Sequence, residues 1–329
     1  MYGEIKNHFN LLHPMSKHNF KQLFNLDESR LILALLTFIC VLLYPGQNNL
    51  QKIVINSGDV KNLVLNDELV ELYPLNDQTG APQLTARGVV VQDVDSSTVM
   101  YEKNADQFMI PASTTKIMTA LVALDYWSDL GSIITVKNED RAIGQTIDLV
   151  KGEQLTVRSL ITGLLIHSGN DAALALADNY EGGYAGFVAA MNVKAKNLHL
   201  DSTVYKNPSG IEQYGHYTTP RDLAILAAVA MDNEFIAQTV STQFTIITDI
   251  TGNIAHPLES TNELLGVIPG LKGLKTGWTT GAGECLVSYV VQQDHPVVIV
   301  VLGSNDRFGE TTKIVDWVYS HHNWITPVL

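Results

Sequence analysis

Cysteines and metal-binding patterns are scarce in this sequence, and their absence narrows the chemistry that is possible. Only two cysteines occur among 329 residues, Cys40 in an apolar run and Cys285 in a predicted strand, so we expect no disulfide between them. The ten histidines include no HExxH pattern, and no Cys/His cluster has the spacing of a zinc site. The sequence therefore predicts a protein with no metal ion and no cofactor.

Basic residues are also fewer than acidic ones. The chain has 21 Lys and Arg against 34 Asp and Glu, a formal net charge of -13 at pH 7 and a pI near 5.1. An acidic surface repels phosphate groups, so we expect no nucleic acid among the partners. Hydrophobic residues make up 46% of the chain and charged residues 17%, which is an ordinary globular balance.

One apolar run near the N-terminus, residues 31–44 (LILALLTFICVLLY), contains no charged residue. It is shorter than the roughly 20 residues that span a bilayer, and a buried core helix is the alternative interpretation. Basic residues precede the run and none follows until Lys52, which places the upstream side in the cytoplasm. No small-x-small cleavage site follows, which favours an uncleaved signal anchor over a removed signal peptide. We therefore predict a cytoplasmic tail at 1–30, a membrane anchor at 31–44, a stalk or linker at 45–85 and an extracytoplasmic domain at 86–329.

The pattern of the remaining chain predicts an α+β fold. Residues 88–93 and 97–103 are expected to form a β-hairpin. Apolar residues at helical spacing predict helices at 113–125, 157–167, 171–180, 184–198, 220–231 and 310–324. Further strands are expected at 244–248, 274–278, 284–292 and 296–302. This order predicts an antiparallel sheet built from both chain ends and flanked by helices, with a helical lobe inserted between them.

A first candidate for chemistry is Ser113-Thr114-Thr115-Lys116, which follows a proline and opens an apolar helix. Serine is a poor nucleophile at neutral pH without an adjacent base, and residues i and i+3 of a helix share a face. To act as that base, Lys116 needs a pKa lowered from about 10.4 to near 7, which burial and a second ammonium can achieve. The alternative is a helix cap followed by a surface lysine.

Two more elements carry groups that suit a peptide substrate. Ser168-Gly169-Asn170 lies between two predicted helices and offers a hydroxyl and a carboxamide on a tight turn. A second S-x-N, residues 260–262, lacks such flanking helices and is the weaker candidate. In the third element Lys275 and Thr276 can bind a carboxylate, and Gly277 allows a close approach of backbone. Taken singly, Ser168-Gly169-Asn170 also fits an ordinary break between helices, and the third element also fits an edge strand protected by a lysine.

Together, S-x-x-K, S-x-N and K-T-G in this order form the motif set of penicillin-binding proteins and class A β-lactamases. The chain resembles the low-molecular-mass penicillin-binding proteins, which are serine-type D-alanyl-D-alanine carboxypeptidases of the peptidase S11 family. The resemblance covers about residues 86–317 and includes IPASTTKIMTALVALD, LLIHSGNDAALALA, HYTTPRDLAILA and LKTGWTTGAGECLV. It implies a β-lactamase/transpeptidase-like fold with the active site between sheet and helical lobe.

The resemblance also implies a role for each site residue. Ser113 is expected to be the acylated nucleophile, Lys116 its base and Ser168 the proton relay. Asn170 is expected to bind the carbonyl group of the substrate amide. The expected carboxylate-binding or oxyanion-binding residues are Lys275, Thr276, Gly277, Trp278 and Arg307. The implied partners are peptidoglycan stem peptides ending in D-Ala-D-Ala and β-lactams that acylate the serine.

Three alternatives stay open at this point. A D,D-endopeptidase that cuts cross-links uses the same motifs. A class A β-lactamase needs a deacylating glutamate in the region that here reads STVYKNPSG, and it usually carries aspartate where Gly169 stands. A catalytically silent cell-wall binding module is the third. His167, His216, Asp222 and Cys285 lie near the motifs, and we predict structural roles for them.

Overall fold

A five-stranded antiparallel sheet forms the centre of the computed structural model, which describes residues 72–137 and 142–326. The strands in these ranges are β1 (Tyr73–Asn76), β2 (Gly88–Asp93), β3 (Val99–Lys103), β4 (Ile133–Thr135), β5 (Gln154–Thr156), β6 (Phe244–Thr248), β7 (Ala255–Glu259), β8 (Leu271–Thr279), β9 (Gly283–Gln292), β10 (His295–Ser304) and β11 (His322–Ile325). The helices are a 3₁₀ helix (Ala112–Thr115), α1 (Lys116–Tyr126), α2 (Val157–Ile166), α3 (Asn170–Asn179), α4 (Gly183–Asn197), α5 (Pro220–Met231), α6 (Glu234–Val240) and α7 (Arg307–His321).

The central sheet has the strand order β3-β2-β10-β9-β8, so strands from both parts of the chain lie side by side, as predicted. In β10, Val300 lies opposite Val90 of β2 and Val287 of β9. These strands read as nearly continuous apolar runs because both faces of the sheet are covered. Alternate residues of these strands therefore pack into two separate hydrophobic cores, one against the helical lobe and one against α7.

The helical lobe is built around α1, in which every residue from Lys116 to Ala123 is buried. Helix α2 begins where the Thr156 hydroxyl accepts a hydrogen bond from the Ser159 N–H, and it ends at Ile166. Helix α3 starts at Asn170, so the predicted break between two helices is confirmed. The packed pair α2 and α3 thereby holds residues 167–169 as a short connection facing the sheet.

The two ends of the described chain meet outside the central sheet, and here two sequence predictions differ from the structure. Strand β1 pairs with β11, so part of the segment predicted as a stalk at 45–85 belongs to the folded domain. The last helix was predicted at 310–324, but α7 ends at His321 and the chain continues as β11. Both errors have one cause: strand pairing between distant segments leaves little trace in the local pattern.

No helix in the described ranges is by itself long and apolar enough to cross a bilayer, although α5 and α6, bent by 105°, satisfy the criteria of length and composition as a pair. The predicted cytoplasmic tail at 1–30 and the predicted anchor at 31–44 lie outside the described residues. They stay predictions.

The buried carboxylate of Glu310 joins the start of the domain to its last helix. It accepts hydrogen bonds from the backbone N–H groups of Thr85 and Ala86 and, at 2.6 Å, from the Ser304 hydroxyl. We expect Glu310→Ala to lower the free energy of unfolding by about 2–4 kcal/mol, because three donors lose a charged acceptor. Asp316→Ala, at an exposed position of the same helix, is the control and should stay within about 0.5 kcal/mol of the parent. Equal denaturant midpoints for the two variants would contradict the prediction.

Candidate active site

The predicted site residues converge on one cleft between the edge strand β8 and the helical lobe. Its volume is about 540 Å³. Lys116 and Lys275 lie fully buried beside it, and the other predicted site residues form its walls. The described lining residues are Ser113, Ile143, Gly144, Gln145, Ser168, Asn170, Ser209, Gly210, Ile211, Glu212, Thr261, Thr276, Gly277, Trp278, Thr279, Thr280 and Arg307.

Ser113 and Lys116 are in direct contact. The Lys116 Nζ donates hydrogen bonds to the Ser113 Oγ at 2.9 Å and to the Ser209 carbonyl at 2.7 Å. The short 3₁₀ helix before α1 places positions i and i+3 on one face, so the serine hydroxyl lies directly over the amine. The amine is thus oriented by two acceptors, one of which is a candidate nucleophile.

Gly210 makes this arrangement sterically possible. Its φ is +86°, and a Cβ at this position would lie 1.8 Å from the Ala112 carbonyl oxygen. Ala112 itself has a φ of +49°, a conformation that is uncommon for a residue with a Cβ. The loop that supplies the Ser209 carbonyl can therefore pack against the start of the 3₁₀ helix only with glycine at 210.

The electrostatic surroundings favour a neutral Lys116. Burial of the amine is the first cause that holds the Lys116 pKa well below its usual range, and the nearby Lys275 ammonium is the second. The Asp171 carboxylate acts in the opposite direction. A neutral amine has a lone pair, so in this form Lys116 can accept the proton of the Ser113 hydroxyl.

The turn at Ser168 presents two polar groups to the cleft. Ser168 adopts φ +65°, in the left-handed region, and is nearly buried. The Asn170 Nδ2 donates to the Ile143 carbonyl, which fixes the orientation of the carboxamide. The Asn170 Oδ1 is buried and has no hydrogen-bond partner among the described residues. This unpaired acceptor suits a substrate N–H, whereas a substrate carbonyl would need the second Nδ2 hydrogen.

Asp171 holds the loop that faces this turn. Its carboxylate accepts hydrogen bonds from the backbone N–H groups of Ile147 and Leu149, at 3.1 and 3.0 Å. His256 contacts the same loop, with its Nδ1 2.7 Å from the Ile147 carbonyl and its Nε2 2.6 Å from a Glu153 carboxylate oxygen. These contacts hold the wall of the cleft around Gly144 in place.

Four cationic or hydroxyl side chains gather at the other wall. Burial, and secondarily the Arg307 guanidinium, lower the pKa of Lys275 to about 7. The Thr276 and Thr261 hydroxyls lie 2.5 Å apart, and the Arg307 Nη1 donates to the Gly277 carbonyl at 3.0 Å. This arrangement of positive charge and hydroxyl groups can bind a carboxylate.

Gly277 allows strand β8 to lie against the start of the 3₁₀ helix. A Cβ on Gly277 would lie 3.1 Å from the Ser113 backbone nitrogen, tighter than an ordinary contact. The backbone N–H groups of Ser113 and Trp278 therefore belong to adjoining segments at the same point of the cleft. Two such donors are the usual means of stabilising an oxyanion.

Residues that the sequence predicted to be structural have such roles in the fold. His167 lies between Gln145 and the Glu259 carbonyl, and Asp222 accepts hydrogen bonds from Ser202 and Thr203. His216 contacts the Thr115 hydroxyl at 3.0 Å, and burial lowers its pKa to about 4. Cys285 is a buried free thiol, and burial raises its pKa to about 11.

Several lining residues of the cleft were not predicted from the sequence, among them Ser209, Glu212 and Thr261. Ser209 and Glu212 belong to the segment NPSGIE, which carries no recognisable catalytic pattern. Thr261 belongs to the weaker S-x-N match, and it reaches the cleft through the residue between the serine and the asparagine. The second S-x-N match therefore did indicate the cleft. The residue that lines the cleft is Thr261, at the middle position that the pattern does not specify.

An α+β fold in which a serine–lysine pair at the start of a buried helix faces a Lys-Thr-Gly strand defines the β-lactamase/transpeptidase-like class. The family model of the peptidase S11 D-alanyl-D-alanine carboxypeptidases matches residues 76–306, and the chain belongs to that family.

Curated relatives agree with this assignment. The chain is 35% identical over 246 residues to the D-alanyl-D-alanine carboxypeptidase DacF of Bacillus subtilis, covering 72% of this chain and 63% of the relative. It is 33% identical to the carboxypeptidase DacC of Escherichia coli, covering 75% and 64%. The chain thus spans slightly under two thirds of both proteins. A D-alanyl-D-alanine endopeptidase of Escherichia coli is 31% identical, with 71% and 76% covered.

Solved structures confirm the predicted fold. A mutant of the Streptomyces K15 DD-transpeptidase superposes with a TM-score of 0.70 at 33% identity, covering 73% of this chain and 99% of that protein. Penicillin-binding protein D2 of Listeria monocytogenes in its ampicillin-bound form gives a TM-score of 0.65 at 30% identity, covering 73% and 100%.

Burial of the Lys116 amine opposes folding, and this generates a prediction. Because the folded-state pKa lies below the unfolded one, the unfolded chain binds more protons between the two values, and stability rises with pH in that range. We expect Lys116→Met to raise the free energy of unfolding by about 1–2 kcal/mol at pH 7. The gain should shrink as the pH approaches 10, where the unfolded lysine also loses its proton.

Denaturant unfolding at pH 7 and pH 10 measures both effects. Lys272→Met, which replaces an exposed lysine of strand β8, is the control and should change little at either pH. A gain that grows with pH would show that Lys116 is not held neutral by the fold.

Proposed function

We propose that this protein is a serine D,D-carboxypeptidase that removes the terminal D-alanine from peptidoglycan stem pentapeptides through an acyl-serine intermediate. The observation that carries the proposal is the 2.9 Å hydrogen bond from the buried Lys116 amine to the Ser113 hydroxyl, in a cleft whose far wall carries positive charge. The names of the curated relatives supply the substrate class.

Acylation begins with the neutral Lys116 amine taking the Ser113 proton while the Ser113 Oγ attacks the carbonyl carbon of the scissile D-Ala-D-Ala bond. The backbone N–H groups of Ser113 and Trp278 stabilise the negative charge that develops on the carbonyl oxygen. The proton passes from Lys116 through the Ser168 hydroxyl to the departing nitrogen. The C–N bond breaks, D-alanine leaves with a neutral amine that protonates in water, and the peptide stays as an ester on Ser113.

Deacylation uses the same groups a second time, with water as the nucleophile. A water molecule attacks the ester carbonyl, and Lys116 together with Ser168 accepts its proton. The Ser113–acyl bond breaks, the proton returns to the Ser113 oxygen, and the shortened peptide leaves as a carboxylic acid that loses its proton to water. One lysine therefore serves both half-reactions because it ends each of them in its starting state.

The wall of the cleft that carries Lys275, Thr276 and Arg307 selects a substrate with a free C-terminus. A free terminal carboxylate would be bound by the Lys275 ammonium, the Thr276 hydroxyl and the Arg307 guanidinium, whose positive charges otherwise repel each other. Binding an anion relieves that repulsion, which favours a carboxypeptidase over an enzyme that cleaves inside a chain. β-Lactams carry a carboxylate next to an acylating carbonyl, so the same groups bind them and Ser113 is acylated.

The proposed substrate lies outside the cytoplasm, and this agrees with the charge bias around residues 31–44. A signal anchor there would tether the catalytic domain to the outer face of the cytoplasmic membrane.

Release of D-alanine from a pentapeptide ending in D-Ala-D-Ala tests the proposal on the full chain in detergent. Ser113→Ala should abolish release and the mass increase that penicillin produces. Ser168→Ala should slow release by about 10²–10⁴-fold, the usual range for a proton-transfer group. Ser260→Ala, in the other S-x-N match, is the control and should keep parental activity.

The outcomes separate the candidate functions. A penicillin adduct without D-alanine release, combined with cleavage of a cross-linked dimer peptide, would indicate a D,D-endopeptidase instead. Rapid turnover of penicillin would indicate a β-lactamase, and neither adduct nor release would indicate a silent binding module.

The lowered pKa of Lys275 predicts how the reaction depends on pH. The rate constant for acylation by penicillin should fall as the pH rises above about 7, because Lys275 then loses the charge that binds the carboxylate. Arg307→Gln should move this alkaline decline to higher pH, since the guanidinium contributes to lowering the Lys275 pKa. The methyl ester of penicillin has no carboxylate and should lack the decline. A decline at the same pH for acid and ester would rule out Lys275 as its source.

A further inference from the structure

Glu212 is an acidic residue on the wall of a cleft whose other charged groups are positive. Of the described residues that line the cleft, it is the only one with a carboxylate. The side chain is exposed to solvent, and the proposed chemistry at Ser113 does not use it. Its charge is therefore available to a ligand.

The carboxylate is held in place by the turn that follows β8. The Gly281 backbone N–H donates to the Glu212 Oε1 at 2.6 Å, and both carboxylate oxygens lie about 3.0 Å from where a Gly281 Cβ would stand. Hydrogen bonds from the Thr279 side chain and then from Gly281 lower the Glu212 pKa. Glu212 is therefore a fixed negative charge at the end of β8.

The direction of a bound peptide follows from the groups along β8. Thr276 lies at the carboxylate-binding wall, and the Trp278 N–H is one of the two oxyanion donors. A peptide that pairs with the open edge of β8 therefore runs from its C-terminus at Thr276 to its scissile carbonyl at Trp278. The preceding residue lies about 3.3 Å further on, towards Thr279 and Thr280, which is where Glu212 is held.

We propose that Glu212 selects stem peptides whose third residue carries a side-chain ammonium, that is, a diamino acid. The inference rests on the proposed function, because it assumes that the terminal carboxylate binds beside Thr276. The ammonium of a diamino acid has the charge and the donors that the remaining lone pairs of the Glu212 carboxylate accept. The two ends of the cleft then match the two charges of the substrate, a carboxylate at one end and an ammonium at the other.

Two pentapeptides that differ only at residue three test this, one with L-lysine and one with the same lysine acetylated on its side-chain nitrogen. The full-length protein should show a kcat/KM about three- to fivefold higher for the free amine, the range of an exposed ion pair. The difference should lie mainly in KM, and it should shrink as salt is raised, because added ions screen exposed charges.

In Glu212→Gln the ratio of the two kcat/KM values should fall to about one, and Glu212→Asp should keep part of the preference. Glu181→Gln, at an exposed position between α3 and α4, removes the same charge away from the cleft and should keep the whole preference. Equal release from both peptides by the parent, a preference that survives Glu212→Gln, or an equal loss on both peptides in that variant would each overturn the role of Glu212 while the carboxypeptidase proposal stands. No D-alanine from either peptide would overturn both.

Discussion

The rest of the site depends on burying the Lys116 amine between the Ser113 hydroxyl and the Ser209 carbonyl. Burial removes water from the amine, so the neutral form is favoured and a lone pair becomes available beside the candidate nucleophile. The same burial requires α1 to be enclosed on all sides, and every residue of this helix from Lys116 to Ala123 is buried. A helix on the surface of the domain would leave the lysine charged, and the serine would have no base.

The motif residues hold fixed positions in the cleft because they belong to rigid elements. The 3₁₀ helix, the turn between α2 and α3, and strand β8 each carry one motif, and both faces of the central sheet are packed. Polar contacts then fix the segments that are not part of regular elements, as Asp171 does for the loop at Ile147. Regular structure sets the distances between the three motifs, and buried polar groups orient the loops between them.

Much of this fold was predictable because its main elements have strong local patterns. The helix at 220–231 and the strand at 244–248 were predicted with the bounds that the structure shows. Short strands were missed, among them β1 and β11, because their partner lies far along the chain and their own residues are only partly apolar. In the site, the motif residues were predicted, but Thr261 was not, since its role depends on a contact with Thr276 that no spacing rule reveals.

The charges around the site act on each other in sequence: Arg307 lowers the pKa of Lys275, and Lys275 lowers that of Lys116. A substrate carboxylate bound between Arg307 and Lys275 would cancel part of this repulsion. By itself this would raise the Lys116 pKa, so that Lys116 would be protonated more often and would be a weaker base towards Ser113. Burial is the first cause of the lowered Lys116 pKa, and a bound peptide would add to it by displacing water from the cleft. In the proposed mechanism, desolvation of the amine, more than repulsion between the cations, would therefore keep Lys116 a base while the substrate is bound.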